Sequence, residues 1–546
     1  MQSIDNVNPT IHLAIELSAS SWLIAARLPG SEKSHLHRLA AAGLVDGMYF
    51  AVPTRSAATE LHARIAQTMS RVHPSLVGRV VRAVPGLLDT DHPTNVWDEP
   101  SMPTWALGST RRVMGAPIAV GTIDQAMLSQ LQTRHSWLRA WCLARQLLVI
   151  DEVHASDPYM SEIVSRLVDE HLALGGYTLL MSATLGESLR SKIEHRVRLD
   201  ISAATKRPYP QISSSGNEIR VEVTGTRTTN LKLKKQADAM TRVLAAVTHG
   251  EAVLWVRSTV ADALDDYRAF KKAGASTMLH HSRFADLDRQ YLDQQVLRLL
   301  GPNGQRAGII IVGTQTLEQS LDIDADLLVT DAVPADVLLQ RLGRLHRHRS
   351  GTTPTAIVLE PGDWNARVTL DGRAMGAPGQ GWAWVYNPLA VRETIAWIGD
   401  RGAVSVPVDV RAMVERATHA DRLEARARVF GERWVALWQR LYGRAIADTQ
   451  QAVSGLIDRG AGYDRALVNE RIPTRLGDGT VDVEVEGTLL SPFTGAAIDA
   501  LPIRANWLRN VEPGSTATVG VDANGRTHLD VAGLRLTYSI EGLHRR

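Results

Sequence analysis

"GIIIVGTQTLEQSLDIDADLLVTD" (residues 308–331) sets two short apolar runs, "GIIIVG" and "DLLVTD", on either side of a polar stretch. Neither run alternates apolar with polar residues, so each reads as a strand buried on both faces of a parallel sheet. The Gln, Glu, Ser and Asp between them are not needed by a core. Polar residues at the ends of such strands stand where open α/β sheets take ligands, outside the carboxyl ends. Runs of the same kind recur outward from here: "GMYFAVPT" (47–54), "QLLVIDE" (146–152), "YTLLMSAT" (177–184) and "EAVLWVRS" (251–258). They alternate with amphipathic segments from about Trp22 to Glu360, which predicts parallel strands joined by crossover helices.

The alternation is interrupted at residues 205–217, "TKRPYPQISSSGN", a Pro/Ser/Gly stretch with turn and linker chemistry. Two α/β lobes are therefore expected, over residues 1–205 and 206–362. Beyond Glu360 the pattern changes. Gly/Trp-rich "GAPGQGWAWVY" leads into a long helical tract (about 388–448) and then β-like pieces such as "TVDVEVEGTLL". Residues 363–546 read as a mixed C-terminal accessory domain. No repeat of solenoid period and no low-complexity tail is present.

Composition narrows the classes. A length of 546 residues allows about three to four average domains, and 44% apolar residues can fill several cores. The formal charge is only +2, so nucleic-acid binding must use a local groove rather than a whole-protein field. Cys142 is the single cysteine, which excludes an internal disulfide framework and a cysteine-cluster metal site. No apolar stretch approaches the 18 residues of a membrane span, and "MQSIDNVNPT" has no basic, signal-like start. No membrane partner is expected, and a cytoplasmic location is the default.

"LLVIDEVHASD" carries the chemistry. Asp151 and Glu152 follow an apolar strand directly, and two adjacent carboxylates there are costly unless something positive joins them. A magnesium ion on the phosphates of a nucleotide supplies that charge. Asp151 is the candidate metal ligand and Glu152 the candidate general base for an attacking water. The bland alternative is a surface turn with two solvated acids. It loses ground because the next strand ends in a second polar set, Ser182 to Thr184.

The order of these features resembles superfamily 2 helicases of the DExH type, with "DEVH" as the acidic box. Within that group the chain resembles the helicase of type I CRISPR systems, the helicase–nuclease that degrades DNA opened by the surveillance complex. The resemblance rests on "YFAVPTRSAA", "VGTIDQAM", "VIDEVHASD", "MSATL", "VRSTVADA", "LHHSRF", "GTQTLEQSLDIDADLLVTD" and "LLQRLGRLHRH", and less decisively on "GWAWVYNPLAV" and "IPTRLGDGTVDVEV". It covers roughly residues 43–546. It implies two tandem RecA-like P-loop lobes, ATP and Mg2+ as cofactors, and single-stranded DNA and a type I surveillance complex as partners. Arg341 and Arg344 would be arginine fingers, presented by one helix face to the cleft between lobes. Such groups contribute about 10³–10⁵ in rate in phosphoryl transfer. Asp322 and Gln340 would help hold the nucleotide, and His154, Ser182 and Thr184 would couple the lobes. Thr54, Arg55, Thr122, Ser282, Arg283, Thr314 and Thr316 would grip the strand through phosphate contacts that read no sequence.

Two family features are missing. The nuclease part uses a His-Asp metal signature, and that dipeptide occurs nowhere in the chain. Nuclease activity, if used, is expected on a separate HD polypeptide. The dipeptide Gly-Lys of a Walker A loop is also absent. The nearest candidate is "LPGSEKS" (28–34), in which Gly30, Lys33 and Ser34 fit a degenerate phosphate loop with Glu32 in the place of its last glycine. A competing reading makes residues 1–40 foreign, since "IHLAIELSASSWLIAARLPG" resembles the start of an insertion-sequence transposase with Glu16 at an acidic strand end. An unrelated surface loop is the third reading. All three stay open at the level of sequence.

Overall fold

The computed structural model of the chain describes residues 12–17, 22–27, 44–72, 80–84, 113–155, 157–214, 217–223, 225–318, 321–349, 352–460, 472–476, 479–509, 511–512, 514–521 and 527–545. The chain divides into two compact units. One takes residues Met1–Gly225 and Tyr442–Thr474; the other takes Thr226–Leu441 and Arg475–Arg546.

In the first unit, β1 (His12–Leu17) and β2 (Trp22–Arg27) form an antiparallel pair of their own. The main sheet is built from β3 (Gly47–Val52), β4 (Val80–Ala83), β5 (Ile118–Thr122), β6 (Gln146–Ile150) and β7 (Tyr177–Leu180). Its order is β4-β5-β3-β6-β7, and every pairing is parallel. All residues of β5 and β6 are buried, which is why their sequences show no alternation. Met48, Phe50 and Val52 point to one face. There they pack with Val120, Val149 and, from helix Arg55–Val72, Ala58 and Leu61. Burial of each large side chain contributes about 1.5–3 kcal/mol, more than the helix gains from its own propensity.

The second unit repeats the plan. Its strands are β10 (Arg227–Lys234), β11 (Val253–Val256), β12 (Thr277–His280), β13 (Ile310–Gly313), β14 (Leu327–Thr330), β15 (Thr355–Leu359) and β16 (Ala403–Val406). They lie in the order β12-β13-β11-β14-β15-β10-β16, all parallel except the edge pair β10–β16. Leu254, Val256, Ile311 and Leu328 fill one face; Val253, Trp255, Ile310, Val312, Leu327 and Val329 fill the other. With both faces covered, the period of two is silent in the sequence.

A six-stranded sheet completes this unit: β17 (Thr480–Glu486), β18 (Ala500–Arg504), β19 (Ala517–Val521), β20 (Thr527–Val531), β21 (Leu534–Ser539) and β22 (Gly542–Arg545), ordered β18-β17-β19-β20-β21-β22. Only β17–β19 is parallel. Its core of Val483, Leu501, Ile503, Leu529, Leu536 and Leu543 also contains Ala285, from the segment after β12. In return Tyr538 of β21 packs against the core of the parallel sheet, so the two cores touch.

The units do not follow the divisions read from sequence. Residues 205–217 are not a bare linker: they include β8 (Gln211–Ser214), which pairs with β9 (Asn217–Arg220), and the units part after Gly225. Residues 363–441 and 475–546 go with the second parallel sheet, and 442–474 with the first.

Candidate nucleotide and strand-binding sites

Parallel strands bring all their carboxyl ends to one edge of a sheet. In the first unit β6 and β7 supply half of that edge. Asp151 and Glu152 follow β6, where Asp151 N–H donates to the Ala51 carbonyl at 2.9 Å and Val153 N–H to the Met181 carbonyl at 3.2 Å. The acidic pair is thus clamped between the continuations of β3 and β7. Glu152 N–H bends back onto Asp151 Oδ1 at 2.9 Å, and Glu152 itself has φ 54°, a left-handed angle that a side chain resists. Burial pushes the Asp151 carboxyl up to about 6, against the pull of the Glu152 N–H, and no charged neighbour among the described residues offsets that cost.

His154, in the turn Val153–Ala155, ties this strand end to the next. Its Nδ1 lies 2.9 Å from Ser182 Oγ and 3.2 Å from Glu152 Oε2. Burial pushes the imidazole down to about 4, so it is neutral near pH 7. Thr184 N–H donates to the same Ser182 Oγ at 3.2 Å, and the Thr184 hydroxyl is sealed with no partner among the described residues. Asp151, Glu152, His154, Ser182 and Thr184 therefore form one cluster within a single unit.

Thr54 and Arg55 follow β3 and Thr122 ends β5, on the other half of the same edge. Thr54 caps helix Arg55–Val72, accepting from Ala57 N–H at 3.1 Å. Arg55 is exposed. Thr122 is buried, and its carbonyl accepts from Tyr49 Oη at 3.1 Å.

In the second unit Ser282 and Arg283 follow β12, and Thr314 and Thr316 follow its neighbour β13. Thr314 is buried. His280 Nε2 lies 2.7 Å from Asp293 Oδ1, and its Nδ1 lies 2.8 Å from Thr316 Oγ1. A carboxylate only accepts, so a neutral His280 carries its proton on Nε2 and the Thr316 hydroxyl donates to Nδ1.

The arginines differ from expectation. Helix Ala335–Leu342 ends before Arg344, so the two do not share a helix face. Arg341 is wholly buried, donating from Nε to Glu318 Oε1 at 2.8 Å and also to Thr330. Arg344 donates to the Glu318 carbonyl at 2.7 Å and to the Leu321 carbonyl. The reason is electrostatic: a carboxylate as buried as Glu318 needs a cation beside it, and Arg341 is that cation. Asp322 Oδ1 is paired with Arg347 and His348, each at 2.9 Å. Gln340 is half-buried on the same helix as Arg341. Gly30, Lys33 and Ser34 lie outside the described residues. The strand before them, β2, pairs with β1 and not with the five-stranded sheet.

Two groups escaped the sequence reading. Arg257, at the end of β11, is fully buried between Asp331 (Nε to Oδ1, 2.9 Å) and Asp266, and donates to the Gly379 carbonyl at 2.7 Å. Asp262 accepts from Gly379 N–H at 2.7 Å and Gly381 N–H at 2.9 Å, so this network pins the Gly/Trp-rich stretch. Its signal was "VRSTVADALDD", with Asp262 and Asp266 four apart on one helix face. The second group is Trp507, under Arg283 at 5.2 Å. Its signal was "RANWLR", arginines interleaved with an aromatic.

Comparison with known proteins fits this geometry. Residues 249–350, which run from β11 past helix Ala335–Leu342, match the family described as CRISPR-associated nuclease/helicase Cas3, C-terminal. The CRISPR-associated endonuclease/helicase Cas3 of Thermus thermophilus is 29% identical over 535 aligned residues, covering 82% of this chain and 57% of that protein. Most of the chain is thus similar to a Cas3. The Cas3 of Escherichia coli K12 is likewise 29% identical, over 57% of this chain and 38% of its own length. This chain thus spans little more than half the length of the Cas3 proteins it matches, or less. Among solved structures, T. fusca Cas3 bound to AMPPNP superposes with a TM-score of 0.73 at 23% identity, covering 93% of this chain and 66% of that one. The fold is that of Cas3: two RecA-like lobes with a mixed sheet domain near the C-terminus.

Proposed function

We propose that the chain is an ATP-driven helicase and translocase on single-stranded DNA, acting in type I CRISPR interference with a surveillance complex. The observation that carries the reading is the Asp151–Glu152 pair: a half-buried carboxylate at a parallel-strand end, with no compensating charge among the described residues, next to a strained glutamate. Magnesium on a nucleotide asks for one or two carboxylates, the remaining ligands being phosphate and water, and this pair fits that demand. Bound there, the ion would neutralise phosphate charge. Asp151 would hold it and Glu152 would take a proton from the attacking water. His154 and Ser182 would keep the Glu152 carboxylate in place. Arg344, with Arg341 once released from Glu318, would meet phosphate charge, and Asp322 and Gln340 would flank it. Thr54, Arg55, Thr122, Ser282, Arg283, Thr314 and Thr316 would grip the strand by its phosphates.

One observation favours a second reading, a strand-binding relic with impaired turnover. A phosphate loop of the P-loop kind follows a strand of the parallel sheet, whereas β2 precedes Gly30, Lys33 and Ser34 from a separate antiparallel pair. Strand-stimulated ATP turnover decides between the two. In the first reading Glu152→Gln abolishes turnover while nucleotide and single-strand binding persist. Turnover of Glu152→Gln within about threefold of the parent, a barrier change below about 1 kcal/mol, would refute the base. A parent with strand binding but no turnover selects the relic.

A further inference from the structure

Arg283 stands between β12 and helix Asp286–Leu300, while Trp507 belongs to the turn Ala505–Trp507 directly after β18, whose last residue is Arg504. The Arg283 guanidinium lies 5.2 Å from the centre of the Trp507 ring. Both belong to the same compact unit. The Arg283 carbonyl accepts from Leu543 N–H at 3.0 Å, and Tyr538 Oη accepts from Ala285 N–H at 2.9 Å while donating to Asp288 Oδ2 at 2.6 Å.

No anion answers this group among the described residues. Arg283 Nε is buried without a hydrogen-bond partner. Burial first, and the charge of Arg504 second, push the Arg283 guanidinium down to about 10, with no carboxylate pulling the other way. Charges taken out of water are normally paired. An unpaired guanidinium on an indole, beside a second and exposed arginine, is short of one negative charge. A planar guanidinium matches phosphate oxygens two at a time, and an indole offers a surface to a base. Phosphate next to base is the repeating unit of a single strand.

We propose that Arg504 and Trp507 of the C-terminal sheet join Arg283 in holding one phosphate and one base of single-stranded nucleic acid. This extends the strand-binding assignment of Ser282 and Arg283 and rests on it. The test uses the full chain, fluorescence anisotropy, and labelled oligothymidylate and oligouridylate at several salt concentrations. Arg504→Gln and Trp507→Leu are compared with the parent after circular dichroism and melting confirm folding. Trp507→Leu should weaken binding about tenfold, the scale of one stacked base. Arg504→Gln should weaken it and flatten the log–log salt dependence by about 0.7, the increment for one phosphate on a single strand. Equal losses on both oligonucleotides mean that backbone and base faces are read; a loss on one alone assigns the site to DNA or RNA. If the parent binds and both variants match its affinity and slope, the proposal is overturned and the strand-binding assignment stands. If the parent binds neither oligonucleotide, both fall.

Discussion

Glu152 carries a carboxylate on a backbone angle that glycine would take without strain. At φ 54° its Cβ crowds the neighbouring carbonyl, a cost of roughly 1–2 kcal/mol for an L-residue. The strain is held by the bonds that flank it: Asp151 N–H to Ala51, Val153 N–H to Met181, and the Asp151 carboxylate on Glu152 N–H. The gain is direction, since the angle turns the carboxylate toward His154 Nδ1, 3.2 Å away. Two variants that both lack the carboxylate should therefore differ in stability. Glu152→Gly relieves the angle and Glu152→Ala does not, so the glycine variant should be the more stable by about 1 kcal/mol. Chemical denaturation of the two proteins side by side measures it. Equal midpoints, or a more stable alanine variant, would show that the angle stores no strain.

At the scale of one element, helix Ala335–Leu342 shows why a correct motif does not fix a side chain's task. The 3.6-residue period places Arg341 on a face, but which way that face points is decided by Glu318, 23 residues earlier in the chain. Arg341 has no exposed surface and Glu318 only 5%. Removing the arginine leaves a buried carboxylate without its cation, at about 3–5 kcal/mol. Arg341→Ala should therefore lose stability on that scale, read as a shift of the denaturation midpoint. Arg344→Ala, which gives up bonds to two carbonyls at a half-buried position, should lose clearly less. An Arg341→Ala protein as stable as the parent would return Arg341 to a purely catalytic role. The strands were easier to read than this helix. β6, β11, β13 and β14 are apolar runs, broken only by Gln146 and Thr330 at strand ends, because both faces are covered, and Asp151 stood out as an acid against such a run. β16, four residues of "AVSV" at a sheet edge, has no comparable signature. Nor could spacing find Arg283 over Trp507, whose contact joins positions 224 apart.

For the whole molecule, the informative seam is the one the sequence drew at residue 362 and the structure does not keep. The C-terminal sheet shares a core with the segment after β12, and His281 lies in that seam with no exposed surface. Its two nitrogens have fixed duties. Nε2–H donates to the Glu541 carbonyl at 3.1 Å, while Nδ1 accepts from Arg283 N–H at 3.2 Å. Only the neutral ring can do both. Burial, then the charges of Arg283 and His280, push its pKa down to about 3, against the pull of the Glu541 carbonyl. A folded pKa below the unfolded value of about 6.5 gives a stability contribution that is complete above pH 6.5. It is lost steadily as pH falls toward 3. At 1.36 kcal/mol per unit, the loss from this residue at pH 5 is about 2 kcal/mol. Glutamine can donate to Glu541 and accept from Arg283 without titrating. His281→Gln should therefore melt close to the parent at pH 7.5 and be the more stable protein at pH 5, by about 2 kcal/mol. Hydrogen exchange in helix Asp286–Leu300, whose Asp288 accepts from Tyr538 at 2.6 Å and from Ser491, should accelerate on acidification in the parent and much less in the variant. Parallel melting curves for the two proteins from pH 7.5 to 5 would mean that the seam opens to water before His281 titrates.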